Sequence, residues 1–385
     1  MACLPVRVDE SSGKGKGLFA DVDFDEGDVI FTEEPLVNCQ FSWNKAYKYE
    51  ACEHCMRSLE TAEEMCRRLC QDDGLVLPHL ECCTVNKSEH VKCDSCDVKY
   101  CSETCKSKSM QQYHKTLCLR DENSIKNELN MLEETWKQIH YPPESASIML
   151  VARMIAIVKQ SENKVKTIKQ MMNFCHQSEN ENDKIVHKLL GDKFIDQIEN
   201  LRSQLKDFLY DDSIRDWFSE KGFRSLLALL GTNQQGVGSS SLSTWVKNCD
   251  ELSLDEKERT KLDNFIDELY EKLEEVSGDF LNCEGVGLYK LQSSCNHSCD
   301  PNAEIAFEHS DHKLTLRAMK PIPSGSEIFI SYLGDCDLSR SRHSRQKLLS
   351  ENYLFNCKCN KCEDQANDPD VTSDEEDSAS SMDEA

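Results

Sequence analysis

Asn296-His297-Ser298-Cys299-Asp300-Pro301-Asn302, then Glu327-Ile328-Phe329-Ile330-Ser331-Tyr332, then Cys357-x-Cys359-x-x-Cys362: these three segments, in this order, decide how the chain is read. The middle one is an apolar run of strand length that closes on a single tyrosine. The last brings three thiolates together, one short of the four that a tetrahedral metal site requires. Each segment alone is a weak signal. Their fixed succession is what carries information.

Outward from there, the chain has 385 residues, enough for one large domain or two to three modest ones. Its 38% hydrophobic content suffices for a real core. The formal charge of -25 argues against non-specific nucleic-acid binding and for basic partners, although part of it only solvates the surface. Met1 to Glu10 has no apolar run of the signal-peptide kind. The longest apolar stretch, Ile148 to Val158, is broken by Arg153 and is too short to span a bilayer. These features predict a soluble intracellular protein, cytoplasmic or nuclear, with no membrane partner.

In a reducing compartment, 22 cysteines point to zinc rather than to disulfides. Cys52-x-x-Cys55, Cys93-x-x-Cys96, Cys101-x-x-x-Cys105 and His114-x-x-x-Cys118 offer seven thiolates and one imidazole, enough for two structural zinc ions. Cys66, Cys70, Cys82, Cys83, His79 and His90 fall between the first two pairs. Cys66 and Cys70 lie one helical turn apart, but spare reduced cysteines explain this group better than a further metal site.

Ser11-Ser12-Gly13-Lys14-Gly15-Lys16-Gly17-Leu18-Phe19-Ala20 reads as a glycine-rich turn entering a strand, and Gly27 to Phe31 repeats that rhythm. No helix follows the glycines, so this is not a dinucleotide fold. After the cysteine block, helices are expected to about Gly278. Pro142-Pro143 before Glu144 suits a helix start, and Ser253 with Glu256 makes a capping box. Ile148, Leu150, Val151, Met154 and Ile155, and later Leu262, Phe265, Ile266, Leu269 and Leu273, form core stripes. Strands return from Phe280, with Leu314, Leu316 and Ala318 alternating and Ile322-Pro323-Ser324-Gly325 turning. Asp364 to Ala385 is acidic and serine-rich without aromatics, which predicts disorder. The Gly236-Val237-Gly238 run lacks the Gly-Lys-Ser/Thr of a phosphate loop.

This arrangement resembles the SMYD family of SET- and MYND-domain lysine methyltransferases over nearly the whole chain up to Cys362. The resemblance implies an α+β fold: a β-rich SET domain split by a MYND zinc finger and a helical insertion, and closed by a zinc-binding post-SET segment. The implied parts are residues 1–51 (first part of the SET domain), 52–118 (MYND finger with a long internal insertion), 119–279 (helical insertion), 280–339 (SET core), 340–362 (post-SET) and 363–385 (acidic disordered tail). The long gap after Cys55 and the acidic tail resemble one branch of the family. In that branch no C-terminal helical-repeat domain is expected.

The resemblance also implies site residues. Cys52, Cys55, Cys101 and Cys105 would hold one zinc, and Cys93, Cys96, His114 and Cys118 a second. Cys299 would join Cys357, Cys359 and Cys362 around a third. Tyr332 matches the active-site tyrosine. Asn296 and His297 match the pair that binds S-adenosyl-L-methionine. Gly15 and Gly17 match glycines that let the backbone approach that cofactor, and Lys14 or Lys16 would reach its carboxylate, although relatives often carry a smaller polar residue where Lys16 stands. Phe355 would cover the adenine, and Asn233 is a further cofactor candidate. Tyr353 and Ile330 would line the substrate-lysine channel. An aliphatic Ile330 cannot hold a water as a tyrosine can, which predicts di- or trimethylation.

The activity so implied is methyl transfer to a lysine of a basic protein, a histone tail or a ribosomal or other translation protein. The other reading is a non-catalytic adaptor whose MYND finger binds proline-rich peptides. The complete cofactor motifs together with Tyr332 favour the enzyme. DNA binding fits poorly, because Lys99, Lys106, Lys108 and Lys115 make only a modest basic patch.

Overall fold

The N-terminal strands share one four-stranded sheet with strands from residues 296–330. In the computed structural model, which describes residues 4–118, 125–139, 146–177, 179–180, 185–186, 195–278 and 281–369, Val6–Ser11 and Gly15–Ala20 form a hairpin. Its turn uses Gly13 and Gly15 at φ of +72° and +78°, where a side chain would be strained. Gly15–Ala20 pairs antiparallel with Glu327–Ile330, and Asn296–His297 lies parallel on the far edge, His297 beside Ile330. The first two of the three quoted segments therefore meet beside the glycine turn.

A second sheet joins Val37–Gln40, Cys283–Leu288 and Gln234–Ser239. The last of these strands lies inside the stretch expected to be helical. Its sequence, Gln-Gln-Gly-Val-Gly-Ser, has neither alternation nor β-branched density, so only pairing with Cys283–Leu288 makes it a strand. A third sheet orders Ala303–Ala306, Leu314–Ala318 and Val29–Glu33, with Leu314, Leu316 and Ala318 buried as the alternation predicts.

The helices pack around Ile148–Gln160, which is buried almost throughout. Ser147 caps it by accepting from the Met149 amide; Pro142, Pro143 and Glu144 lie outside the described residues. Arg153 crosses this core to pair with Glu53, donates to the Asn38 carbonyl at 2.7 Å and stacks on Tyr113 at 4.4 Å. A buried guanidinium so fully partnered fixes the helix against the cysteine block. The helix Glu256–Ser277 corrects one expectation. Asp255, not Ser253, is its cap, accepting from the Glu258 amide at 2.8 Å. Asp255 immediately precedes the first helical residue and adds a negative charge at the positive helix end, whereas Ser253 lies two residues outside.

The long gap after Cys55 packs on the cysteine clusters near its ends, through Leu59 and Val91, while its middle joins another apolar cluster. Its helix Ala62–Leu69 closes with a Thr61/Glu64 capping box and packs on Ser241–Asp250 and Glu256–Ser277. Cys66, Cys70 and Cys82 lie in that apolar interface with Trp245 and Leu273, and among the described residues they join no metal-ligand group. Of the acidic tail, residues 370–385 lie outside the described residues. None of the described helices is long and apolar enough to cross a membrane.

Candidate active site

Tyr332 leaves the Glu327–Ile330 strand and points its hydroxyl at the Cys295 carbonyl oxygen, 2.7 Å away. Burial, then the neighbouring Cys295 and Tyr353, hold this phenol above its ordinary range, so it stays a donor. Rings surround it: Tyr353 at 4.8 Å, His297 at 5.4 Å and Phe355 at 6.2 Å between centroids. Tyr353 and Phe355 arrive from the helix Arg342–Tyr353 and the turn after it, where Leu354 takes a left-handed conformation. Gln346 fixes that turn by bonding both the amide and the carbonyl of Cys357. Ile330, 2% exposed, lies in the apolar cluster on which Tyr332 packs.

His297 holds Tyr332 from the other side. Its Nδ1 accepts the Tyr332 backbone N–H at 3.0 Å, so the ring proton sits on Nε2, 3.3 Å from Cys299 Sγ. The glycine turn closes the opposite wall. The Asn296 Nδ2 donates to the Lys16 carbonyl at 3.0 Å and to Glu327 Oε1 at 2.7 Å. For Gly17 the structure supplies a reason other than cofactor approach: a Cβ there would stand 2.7 Å from Glu327 Oε1 and 2.9 Å from Ser11 Cβ. Lys14 lies over the Phe329 ring at 4.4 Å, 3.9 Å from Glu327.

Lys16 reaches across to bond the Asn173 carbonyl and side-chain oxygens at 2.9 and 2.8 Å. Asn233 is fully engaged: it donates to the Cys175 and Leu229 carbonyls at 2.6 and 2.8 Å and accepts from the Cys175 amide at 3.2 Å. Both residues thus anchor the Asn173–Cys175 segment beside the site.

Twelve residues fall into the three metal groups expected from the resemblance: Cys52, Cys55, Cys101 and Cys105; Cys93, Cys96, His114 and Cys118; Cys299, Cys357, Cys359 and Cys362. Within each, the ligand atoms lie within 4.8 Å of one another. Tetrahedral zinc with Zn–S near 2.3 Å sets S···S edges of about 3.8 Å, far longer than the roughly 2.05 Å of a disulfide. Cys93–Cys118 at 3.8 Å, Cys299–Cys362 at 3.6 Å and Cys55–Cys101 at 3.5 Å match such edges. The third group has a further sign of charge. Arg345, 1% exposed, directs Nε at Cys299 Sγ and Nη2 at Cys362 Sγ, at 3.3 and 3.7 Å. A buried guanidinium facing sulfur needs thiolates, and four thiolates around zinc carry the compensating charge. A π-helical turn, Met110–His114, brings His114 to the second group.

Sequence reasoning left Glu327, Arg345, Gln346 and the Cys295 carbonyl without roles. Glu327 stood inside a quoted motif, but the other three carry no local signal; only the fold brings them to the site.

The glycine turn, the tyrosine and the cysteine trio together define a SET-type site, and comparison with known proteins agrees. The SET domain family model matches residues 15–333. Protein-lysine N-trimethyltransferase SMYD5 of Gallus gallus is 54% identical over 372 residues, covering 96% of this chain and 88% of that protein. Its namesakes in Danio rerio and Homo sapiens are 51% and 52% identical, over 97% and 95% of this chain and 90% and 88% of theirs. The chain belongs to the SET domain family, in the branch formed by these SMYD5 methyltransferases.

Proposed function

We propose that this chain transfers methyl groups from S-adenosyl-L-methionine to a lysine of a basic protein, carrying it to the trimethylated state. The observation that carries this reading is the half-buried Tyr332, its hydroxyl on the Cys295 carbonyl, walled by Tyr353, Phe355 and His297. The printed names of the SMYD5 relatives support it.

When bound, S-adenosylmethionine supplies a methyl on a sulfonium sulfur, open to in-line attack by an amine. The lysine must be neutral, and deprotonation at pH 7.4 costs about 4 kcal/mol from a pKa of about 10.4. The aromatic wall lowers that cost by excluding water from the ammonium. Tyr332, kept protonated and anchored on Cys295, fixes the geometry around the amine without reorganising. Ile330 brings no hydroxyl to order a water, so space remains for a growing methylammonium. Asn296, His297, the Lys14–Gly17 turn and Phe355 form the donor side, and Tyr353 the lysine side.

Residues 52–118 act as a MYND-type finger whose two zinc ions are structural, since each cluster fills all four ligand positions. The third zinc pins the post-SET segment, and with it Tyr353 and Phe355, against the site. The net charge of -25 favours histone tails or ribosomal and other translation proteins as substrates, in the cytoplasm or nucleus. The test is to incubate the chain with labelled S-adenosylmethionine and separate pools of core histones and ribosomal proteins, then map methylated lysines by mass spectrometry. Trimethyl-lysine in either pool supports the reading. A product that stops at monomethyl-lysine contradicts its trimethyl part.

A further inference from the structure

We propose that Glu327 is a positioning residue that orients Asn296 to receive the amino group of the methyl donor. The proposal rests on the donor assignment above and adds a residue and a direction to it. Asn296 spends both N–H bonds of its amide on groups that can only accept, the Lys16 carbonyl at 3.0 Å and Glu327 Oε1 at 2.7 Å. That pairing settles which end of the amide is which. The Asn296 Oδ1 is turned away from both, and among the described residues no hydrogen bond reaches it. A carbonyl oxygen left open beside the glycine turn accepts from an ammonium and not from a carboxylate.

Glu327 is itself held. Ser11 Oγ donates to Oε2 at 3.0 Å, Lys14 Nζ lies 3.9 Å away, and the side chain is only 14% exposed. The missing side chain of Gly17 is what admits the carboxylate, since a Cβ there would stand 2.7 Å from Oε1. Two strands therefore cooperate on one amide: Gly15–Ala20 gives the Lys16 carbonyl and the space at Gly17, and Glu327–Ile330 gives the acceptor. Without Glu327 the amide loses one acceptor and is free to flip, which would present N–H groups to the donor's ammonium.

The test is calorimetric affinity for S-adenosylmethionine and for 5′-methylthioadenosine, which lacks the amino-acid end. The proteins are the wild type, Glu327→Ala, Glu327→Gln, Asn296→Ala and the double alanine variant. Glu327→Ala is expected to weaken S-adenosylmethionine roughly tenfold, the scale of one lost hydrogen bond to a charged group, and to leave 5′-methylthioadenosine unchanged. Glu327→Gln keeps an acceptor oxygen and is expected within about threefold of wild type. In the Asn296→Ala background, Glu327→Ala is expected to add less than threefold, because it acts through Asn296. Wild-type affinity in Glu327→Ala, an equal loss for both ligands, additive losses, or Glu327→Gln as impaired as Glu327→Ala would each overturn the proposal. Absence of any donor binding by the wild-type chain would instead overturn the donor assignment, and this inference with it.

Discussion

His297 takes the Tyr332 backbone N–H on Nδ1 at 3.0 Å and turns its protonated Nε2 to Cys299 Sγ at 3.3 Å. One imidazole thus links Tyr332, the proposed catalytic residue, to the third candidate metal group. Replacing it should break both. For His297→Ala we expect elemental analysis to fall from three zinc ions per chain towards two, with methyl transfer lost together with the third ion. Three retained ions with full transfer would show that the coupling has no consequence.

The metal groups themselves make a sharper count. Cys362→Ser removes one ligand from the third group only, leaving the two clusters between Cys52 and Cys118 intact. Two zinc ions per chain are expected, with Tyr353 and Phe355 released from the site and transfer abolished. Cys93→Ser should also leave two ions but cost mainly stability, since a structural zinc contributes on the order of 10 kcal/mol to folding its own lobe. A count of three in either variant would mean that its cluster is not the site.

The state of Tyr332 sets the pH dependence. Burial holds its hydroxyl above the ordinary value of about 10, so it remains protonated as pH rises, while the substrate amine becomes neutral. The rate at low substrate should climb about tenfold per pH unit up to about pH 9, with no falling limb from Tyr332. A decline centred below pH 10, absent from Tyr332→Phe, would show that the phenol ionises in the working range and would reverse this assignment.

Asn233 tests the wall rather than the chemistry. Its three bonds hold the Cys175 backbone and the Leu229 carbonyl. Asn233→Ala removes the side-chain partner of the part-buried Cys175 amide and carbonyl, at a cost of about 1 kcal/mol. A lower Tm and weaker donor binding are expected, with kcat at saturation changed less than threefold. A large fall in kcat with unchanged donor affinity would place Asn233 nearer the reacting atoms than its bonding indicates.

Ile330 is the proposed determinant of the number of methyls. It packs in the same apolar cluster as Tyr332 and is almost fully buried. Ile330→Tyr should shift product towards monomethyl-lysine, at a packing cost of about 1–3 kcal/mol. Undiminished trimethylation by that variant would remove Ile330 from the account.

Much of this was legible in the sequence because its signals are local. Ligand pairs such as Cys52-x-x-Cys55 and His114-x-x-x-Cys118 announce themselves by spacing, and Tyr332 ends an apolar run. The partition of those pairs between clusters came from resemblance, since spacing alone allows several. What stayed hidden depends on contacts distant in sequence. The Gln234–Ser239 strand exists only through pairing with Cys283–Leu288. Arg345 gains meaning only beside Cys299, 46 positions away. Gly17 looked like a place for a ligand, whereas its neighbour is Glu327 from the other end of the chain. The cap at Asp255 was missed by two residues because Ser253-x-x-Glu256 copies the capping-box spacing outside the helix.

The most direct test of the central claim compares wild type with Tyr332→Phe, both shown to be folded and to bind S-adenosylmethionine, in single-turnover methyl transfer to a basic protein. The account predicts transfer by wild type and a loss of roughly 10²–10³-fold in the variant, with donor affinity within threefold, because only the aligned hydroxyl has gone. Equal transfer by the two proteins would contradict it.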